Sequence, residues 1–324
     1  MKSYRYLYGP VPSRRLGRSL GVDLVPVKIC TYDCVYCQVG KTTERTLQRK
    51  EYIPTEEVLD EVKDFLSKGE GSIDHFSLSG SGEPTLHSQI GLVIKGIKGM
   101  SSIPVAVLTN GSLLYLDEVR NDLLQADIIL PSLDAVSKEV FARINRPQEG
   151  ISVEMVVEGL VKFRKFYQGR IWLEILFCKG INDGRNELRQ MKKAIDRIQP
   201  DCIHINTVVR PPTEQWAAPL NLEEMEKIQA FFGDGASIIS EFDRHPLSIP
   251  ENNVKEEIFR ILKRRPLSLV DLSQRMAIPK EKLEATMQPM VEEGKIKSRR
   301  FGDSVYYEVS KSPPFQKSLQ RSLK

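Results

Sequence analysis

The chain has 324 residues, 40% hydrophobic and 28% charged, with a net charge of +4, a globular composition with room for a large core and a second, smaller domain. It contains no apolar run of the roughly eighteen residues a spanning helix needs, and Met1-Lys2-Ser3-Tyr4-Arg5-Tyr6 lacks the apolar stretch of a secretory signal, so a cytoplasmic protein with no membrane partner is expected. Its five cysteines are odd in number and three of them fall within residues 30–37, which favours metal ligation over a disulfide framework.

Gly9-Pro10-Val11-Pro12-Ser13-Arg14-Arg15-Leu16-Gly17-Arg18 reads as a basic loop before the first strand. Its three arginines could grip a phosphate or carboxylate, or stand in solvent. Strand-like segments follow at residues 20–25, 75–78, 105–108, 128–130, 171–177 and 203–208. They are short and almost continuously apolar, as parallel strands buried on both faces are. Helical spacing separates them. Thr55 is read as the N-cap of the first helix, with Glu56 and Glu57 in its first turn and Val58, Leu59, Val62, Phe65 and Leu66 on one face. Further helices are expected near 90–98, 117–124, 155–166, 187–198 and 222–232. Six βα units predict an α/β fold with right-handed crossovers, a partial (β/α)6 barrel whose functional groups sit at the C-terminal strand ends.

Pro246, Pro250, Asn252 and Asn253 mark a linker. The expected domains are therefore residues 1–245, a partial barrel with its basic loop, and residues 251–310, with 311–324 as a basic disordered tail. In the second domain residues 254–262 are helical, Ser268 and Asp271 form a cap before a helix at 269–276, and Pro279 starts a third helix ending at Gly294. Residues 296–300 and 305–309 flank Phe301-Gly302-Asp303 as a hairpin. That order reads as a winged helix-turn-helix. Residues 251–324 hold 16 Lys and Arg against 10 Asp and Glu, a net of +6, which leaves the first 250 residues at −2. The surplus hints at a polyanionic partner. The third helix is poor in it, with Glu281, Glu284, Glu292 and Glu293 beside Lys280 and Lys282. The wing is rich in it, with Lys295, Lys297, Arg299 and Arg300.

Cys30-Thr31-Tyr32-Asp33-Cys34-Val35-Tyr36-Cys37 follows the first predicted strand. Three thiolates on one short loop can each bind a separate iron of a cubane cluster. The fourth iron is then open to the amino and carboxylate groups of a substrate. A structural zinc site is the alternative; such sites pair C-x2-C units around four ligands, and here the next histidine is His75. C-x3-C-x2-C with an aromatic, Tyr36, before the last cysteine resembles the signature of the radical S-adenosylmethionine (SAM) superfamily. The resemblance implies a [4Fe–4S] cluster on Cys30, Cys34 and Cys37, SAM chelating the open iron, and one-electron cleavage to a 5′-deoxyadenosyl radical that abstracts hydrogen. It implies a one-electron reductant of the flavodoxin or ferredoxin type as well. It makes the whole fold a partial radical SAM barrel followed by a small winged helix.

Leu78-Ser79-Gly80-Ser81-Gly82-Glu83-Pro84-Thr85 resembles the family's G-G-E loop. That loop binds the SAM ammonium, for which backbone carbonyls are the natural acceptors. Gly80, Ser81, Gly82 and Glu83 are the counterparts here, against the plainer reading of a strand–helix turn. By the same resemblance Asn110, Ser132 and Asp134 are candidates for the SAM ribose and carboxylate, although turn and cap chemistry suits them equally. No catalytic residue is assigned. Residues 143–147, Glu174, residues 179–183, Asn206, Thr207 and Arg210 could face a substrate. An ion pair of Arg143 or Arg146 with Glu174 is the competing reading, and Cys178 and Cys202 read as small core residues.

The G-P-V-P-S-R-R-L-G run, the cysteine motif and Ser81-Gly82-Glu83-Pro84-Thr85 together resemble proteins grouped loosely with tRNA 4-demethylwyosine synthases. Those bind a second cluster through cysteines preceding the SAM motif, and no cysteine precedes Cys30. Three functions stand open: an enzyme acting on RNA or protein presented by the winged helix, an enzyme acting on a small molecule with the winged helix as an interaction module, and an iron–sulfur transcription regulator. The glycine loop and the six βα units argue against the third.

Overall fold

A computed structural model describes residues 4–69, 73–239, 254–263, 266–276, 278–302 and 304–310. The linker prolines and asparagines, Asp303 and the tail at 311–324 lie outside these residues. The chain divides into two compact units, Met1–Leu247 and Ser248–Lys324.

The first unit contains strands β1 (Leu7–Ser13), β2 (Gly17–Val22), β3 (Ile29–Cys30), β4 (Glu44–Arg45), β5 (His75–Leu78), β6 (Val105–Thr109), β7 (Ile128–Pro131), β8 (Arg170–Phe177), β9 (Cys202–Thr207) and β10 (Ala236–Ile238). All but β3 and β4 join one sheet in the order β1-β2-β5-β6-β7-β8-β9-β10. From β2 to β10 every pairing is parallel. The connecting helices are α1 (Thr55–Ser67), α2 (Ile90–Met100), α3 (Asp117–Leu123), α4 (Lys138–Ile144), α5 (Val153–Phe166), α6 (Arg185–Ile198) and α7 (Leu222–Phe232). The central strands β5, β6 and β7 are buried on both faces, as their apolar runs require, whereas β8 alternates buried and half-buried residues. The sheet keeps two free edges, so it is an open α/β barrel rather than a closed one.

Two expectations need correction. Most of the basic loop is strand, residues 9–13 in β1 and 17–18 in β2: β1 pairs antiparallel with β2, Leu7 opposite Val22 and Ser13 opposite Gly17. Pro10 and Pro12 argue against a strand in sequence, but an edge strand has one side on which no amide is needed. Thr55 is not a cap. Pro54 holds that position with no side-chain cap bond, and Glu51 Oε1 accepts from the Thr55 amide at 2.7 Å.

Inside the barrel, Leu16, Ala106, Ile128 and Leu130 pack with Leu108 and Trp172. This apolar floor occupies the inner face toward the strand starts. Polar groups are thereby displaced to the C-terminal ends, where Asp23, Ser79, Asn110 and Ser132 follow their strands.

The second unit contains α8 (Val254–Leu262), β11 (Leu267–Ser268), α9 (Leu269–Met276), α10 (Lys280–Glu292), β12 (Ile296–Phe301) and β13 (Ser304–Val309). Its strands pair antiparallel in the order β11-β13-β12. Ile258, Leu272, Leu283, Met287 and Ile296 form its core. Ser268 and Asp271 cap α9 reciprocally, the Ser268 amide donating to Asp271 and the Asp271 amide to the Ser268 hydroxyl. No helix among the described residues is long and apolar enough to cross a membrane.

Candidate functional site

The cysteine loop leaves the top of β2 and is pinned on three sides. Its start, β3, pairs with β4. Its middle hangs on the end of α4, where Ile144, Asn145 and Arg146 offer carbonyls to the Val35 and Asp33 amides. Tyr32 is buried edge-on against Phe141, with ring centroids 5.5 Å apart. The third contact is the glycine loop: the Lys28 amide donates to Ser81 O at 2.8 Å and the Glu83 amide to Ile29 O at 3.2 Å. A Cβ on Gly82 would stand 2.2 Å from Ile29 O, and one on Gly80, whose φ is +144°, 2.7 Å from Asp23. Glycine is required at position 82 for the two loops to meet and at position 80 by its φ.

Each cysteine sulfur receives a side-chain N–H donor. Lys28 Nζ lies 3.2 Å from Cys37 Sγ, Asn145 Nδ2 3.4 Å from Cys34 Sγ and Asn110 Nδ2 3.6 Å from Cys30 Sγ. All three thiols are free and half-buried. Burial pushes the Cys30 thiol up to about 12, the Glu83 charge adding to it, and burial with the Asp134 charge pushes Cys34 well above its ordinary value. A bare thiolate is therefore disfavoured here, and ligation by a cation is what would offset the cost. Among the described residues no three His, Cys, Asp or Glu side chains converge as a single metal ion would ask. Sulfurs spread along one loop, each with its own donor, fit a cubane that gives every thiolate a different iron.

Tyr36 and Asp134 meet beneath this loop. The Tyr36 hydroxyl donates to Asp134 Oδ2 at 2.5 Å, Asn145 Nδ2 donates to the same oxygen at 2.8 Å, and the Leu176 amide donates to Oδ1 at 2.9 Å. Burial raises both the Asp134 carboxyl and the Tyr36 phenol. Glu83 is similarly enclosed. Its carboxylate accepts from the Thr85 amide and hydroxyl, the Thr109 hydroxyl and the Asn110 amide, and burial raises its pKa despite these bonds. Both carboxylates thus face the protein's own donors. Asn110 is held at its amide by Glu83 and at its side chain by Thr31 and Cys30. Ser132 ends β7, its amide on Thr109 O and its backbone bridged to Glu174.

The remaining expectations sort by contact. Glu174 is paired with Arg15, not with Arg143 or Arg146. Arg146 pairs with Glu214 at 2.6 Å and Asp33 at 3.8 Å, and Arg143 lies over the Trp216 ring. Arg15 precedes Leu16, which packs among the apolar residues of β6 and β7, and burial pushes the Arg15 pKa down to about 10. Asn206 joins the same group, donating to Glu174 at 2.9 Å and accepting from Arg14 at 3.2 Å. Cys178 is fully buried, and Cys202 Sγ sits 3.4 Å from His204 Nε2. Sequence reasoning missed Lys28 and the tie from Asn145 to Cys34. Asn145 stood in a run already singled out, whereas nothing local marks Lys28.

The family model described as "Radical SAM superfamily" matches residues 24–194. A protein named "GTPase Obg" in Brachyspira hyodysenteriae is 36% identical over 309 residues, covering 94% of this chain but 45% of that protein, so the chain spans less than half of it. A "UPF0026 protein" of Methanocaldococcus jannaschii is 31% identical over 93% of this chain and 94% of its own length. Among solved structures, TYW1 with a lysine–pyruvate adduct is 18% identical and covers 68% of this chain and 74% of its own, with a TM-score of 0.50. Streptococcus suis SuiB bound to S-adenosylmethionine is 11% identical, covers 76% of this chain and 57% of its own, and has a TM-score of 0.52. At these identities the two structures speak for the fold alone.

Proposed function

We propose, from the premise that this chain belongs to the radical SAM superfamily and is an enzyme of it, that Cys30, Cys34 and Cys37 hold the [4Fe–4S] cluster the superfamily uses. When bound, cluster and SAM supply a carbon-centred radical from one-electron cleavage of SAM. The observation that carries this reading is the set of three sulfurs, each with its own N–H donor, on a loop sewn to the glycine loop. Gly80, Ser81 and Gly82 form the wall that offers backbone acceptors to the SAM ammonium, and Ser132 offers a hydroxyl at the next strand ends. Tyr36, Glu83, Asn110 and Asp134 serve SAM binding by fixing these walls, since their polar atoms hold main-chain and cysteine groups in place. Electrons come from a flavodoxin- or ferredoxin-type donor in the cytoplasm. Anaerobic reconstitution followed by reduction with SAM present should yield 5′-deoxyadenosine. Cys34→Ala should lose both the cluster absorption and this product. Retention of either would overturn the assignment.

The substrate reading is a macromolecule. Residues 1–245 form the catalytic unit and 251–310 a winged helix-turn-helix that presents the substrate, with 311–324 a basic extension. Nucleic acid is favoured over protein by the hairpin. On one face of β12 and β13, Lys297 stands opposite Glu308, Arg299 opposite Tyr306 and Phe301 opposite Ser304, and the Phe301 and Tyr306 rings meet edge-on at 6.3 Å. A guanidinium, that of Arg299, beside aromatic faces suits phosphate and base together. α10 carries exposed Glu281 and Glu292 instead. The shared fold of TYW1 keeps the wyosine-like grouping open without supplying its substrate. A small-molecule substrate is the competing reading, and RNA that copurifies and dissociates at high salt would decide against it.

A further inference from the structure

We infer that Lys28 is a charge-compensating residue that acts through Cys37 and raises the reduction midpoint of the cluster; this rests on the cysteine assignment above. Lys28 has φ +63°, one of three non-glycine residues with positive φ among the described residues. That backbone region is unfavourable for any side chain. It is held by four bonds: the Lys28 amide donates to Ser81 O, and its carbonyl accepts from the Thr43 amide at 3.0 Å, the Glu44 amide at 3.2 Å and the Thr43 hydroxyl at 3.2 Å. The main chain is thus clamped between the glycine loop and β4. The clamp aims the side chain inward, where it is 6% exposed.

A buried lysine ordinarily needs a carboxylate. Among the described residues Lys28 makes no ion pair with one; its acceptor is Cys37 Sγ. Cys30 and Cys34 take side-chain N–H bonds from neutral amides, those of Asn110 and Asn145, at longer range, and Cys34 meets the Tyr36 phenol as well. Cys37 is therefore the sulfur that takes the ammonium directly, at 3.2 Å, and the same charge is felt at Cys30, in surroundings that screen it poorly. When a flavodoxin- or ferredoxin-class donor passes one electron to the cluster, one negative charge is added; no bond forms or breaks and no proton moves. A fixed cation beside one ligand favours the more negative state, so it makes the cluster easier to reduce. Neutral donors at the other two sulfurs orient them with a weaker effect.

The test compares full-length native protein with Lys28→Met, Lys28→Gln and Lys28→Arg after anaerobic reconstitution, using absorption for cluster content and mediated potentiometric titration read by electron paramagnetic resonance for the midpoint. Lys28→Met and Lys28→Gln should hold the cluster at a more negative midpoint than native, and Lys28→Arg should return to the native value. A Lys28→Met protein with full cluster and the native midpoint overturns the inference and leaves the cysteine assignment standing. Native protein that takes up no cluster overturns the assignment itself. If both uncharged variants lose the cluster while Lys28→Arg keeps it, the Lys28→Arg midpoint decides: the native value upholds the inference, and a midpoint displaced from it overturns the inference. If Lys28→Arg loses it too, the site asks for the shape of the lysine side chain rather than for its charge, and the inference falls.

Discussion

Glu83→Ala should destabilise the first unit more than any exposed substitution can, because it strips four buried donors of one acceptor. The Glu83 side chain belongs to a residue 2% exposed. Its oxygens take the Thr85 amide and hydroxyl, the Thr109 hydroxyl and the Asn110 amide at 2.6–3.1 Å. The hydroxyls can rotate toward other acceptors, but the two amides are fixed. A bond to a charged acceptor is worth about 1.5–3 kcal/mol and a stranded amide costs a further ~1–3 kcal/mol. Against this, removing the carboxylate relieves its own desolvation, which already lifts its pKa. The net is a loss of about 3–5 kcal/mol, the range for removing one partner of a buried charged cluster. Glu83→Gln keeps the volume but offers an oxygen to one side only, for a loss of about 1.5–3 kcal/mol. Urea unfolding followed by tryptophan fluorescence reads this directly, since both tryptophans, Trp172 and Trp216, belong to the first unit. With m near ~3 kcal/mol/M, the alanine variant should lose at least about 1 M from its midpoint. Shifts worth less than about 0.5 kcal/mol in both variants, the scatter of surface substitutions, would refute the view of Glu83 as a tie.

Gly82→Ala should abolish cluster uptake while leaving the second unit folded, because its Cβ would stand 2.2 Å from Ile29 O; iron and sulfide content after reconstitution checks it. His204 should make the fold sensitive to acid. Burial, with the Arg15 charge adding, pushes it down to about 4, while the unfolded chain protonates near ~6.5. Between those values only the unfolded state takes up the proton, so the His204 contribution is complete above pH ~6.5 and is lost as pH falls through the folded value. Stability measured at pH 7 and pH 5 should differ less in His204→Asn than in the native protein, and equal differences would remove His204 from the account. Arg299→Ala should weaken RNA binding at every sequence tested and reduce the slope of log affinity against log salt by about 1; an unchanged slope would take phosphate away from this face of the hairpin.

The parallel strands and most helices were legible because apolar runs and helical spacing are local signals. Sequence reading stumbled where a distant group replaces the local signal. Pro10 and Pro12 hid β1, which exists only because β2 lies beside it. Thr55 looked like a cap, but Glu51 reaches into that place from the preceding turn. Glu174 needed a cation, and the one it has comes from the hairpin turn at Arg15 rather than from the nearer Arg143 or Arg146.

The site divides along the same line. The cysteine triplet and the glycine loop announce themselves, because ligand spacing and glycine runs are written in consecutive residues. What makes the triplet usable is not consecutive. Asn110 comes to Cys30 from the end of β6, and Asn145 comes to Cys34 from the end of α4. Lys28 lies two residues from Cys30, yet its hydrogen bond goes to Cys37, from a left-handed backbone. Motif spacing can therefore identify the ligands of such a centre. The electrostatics around them arise from strand ends and one unfavourable dihedral, and the same motif on another chain can carry a different set of donors and take its electron at a different potential.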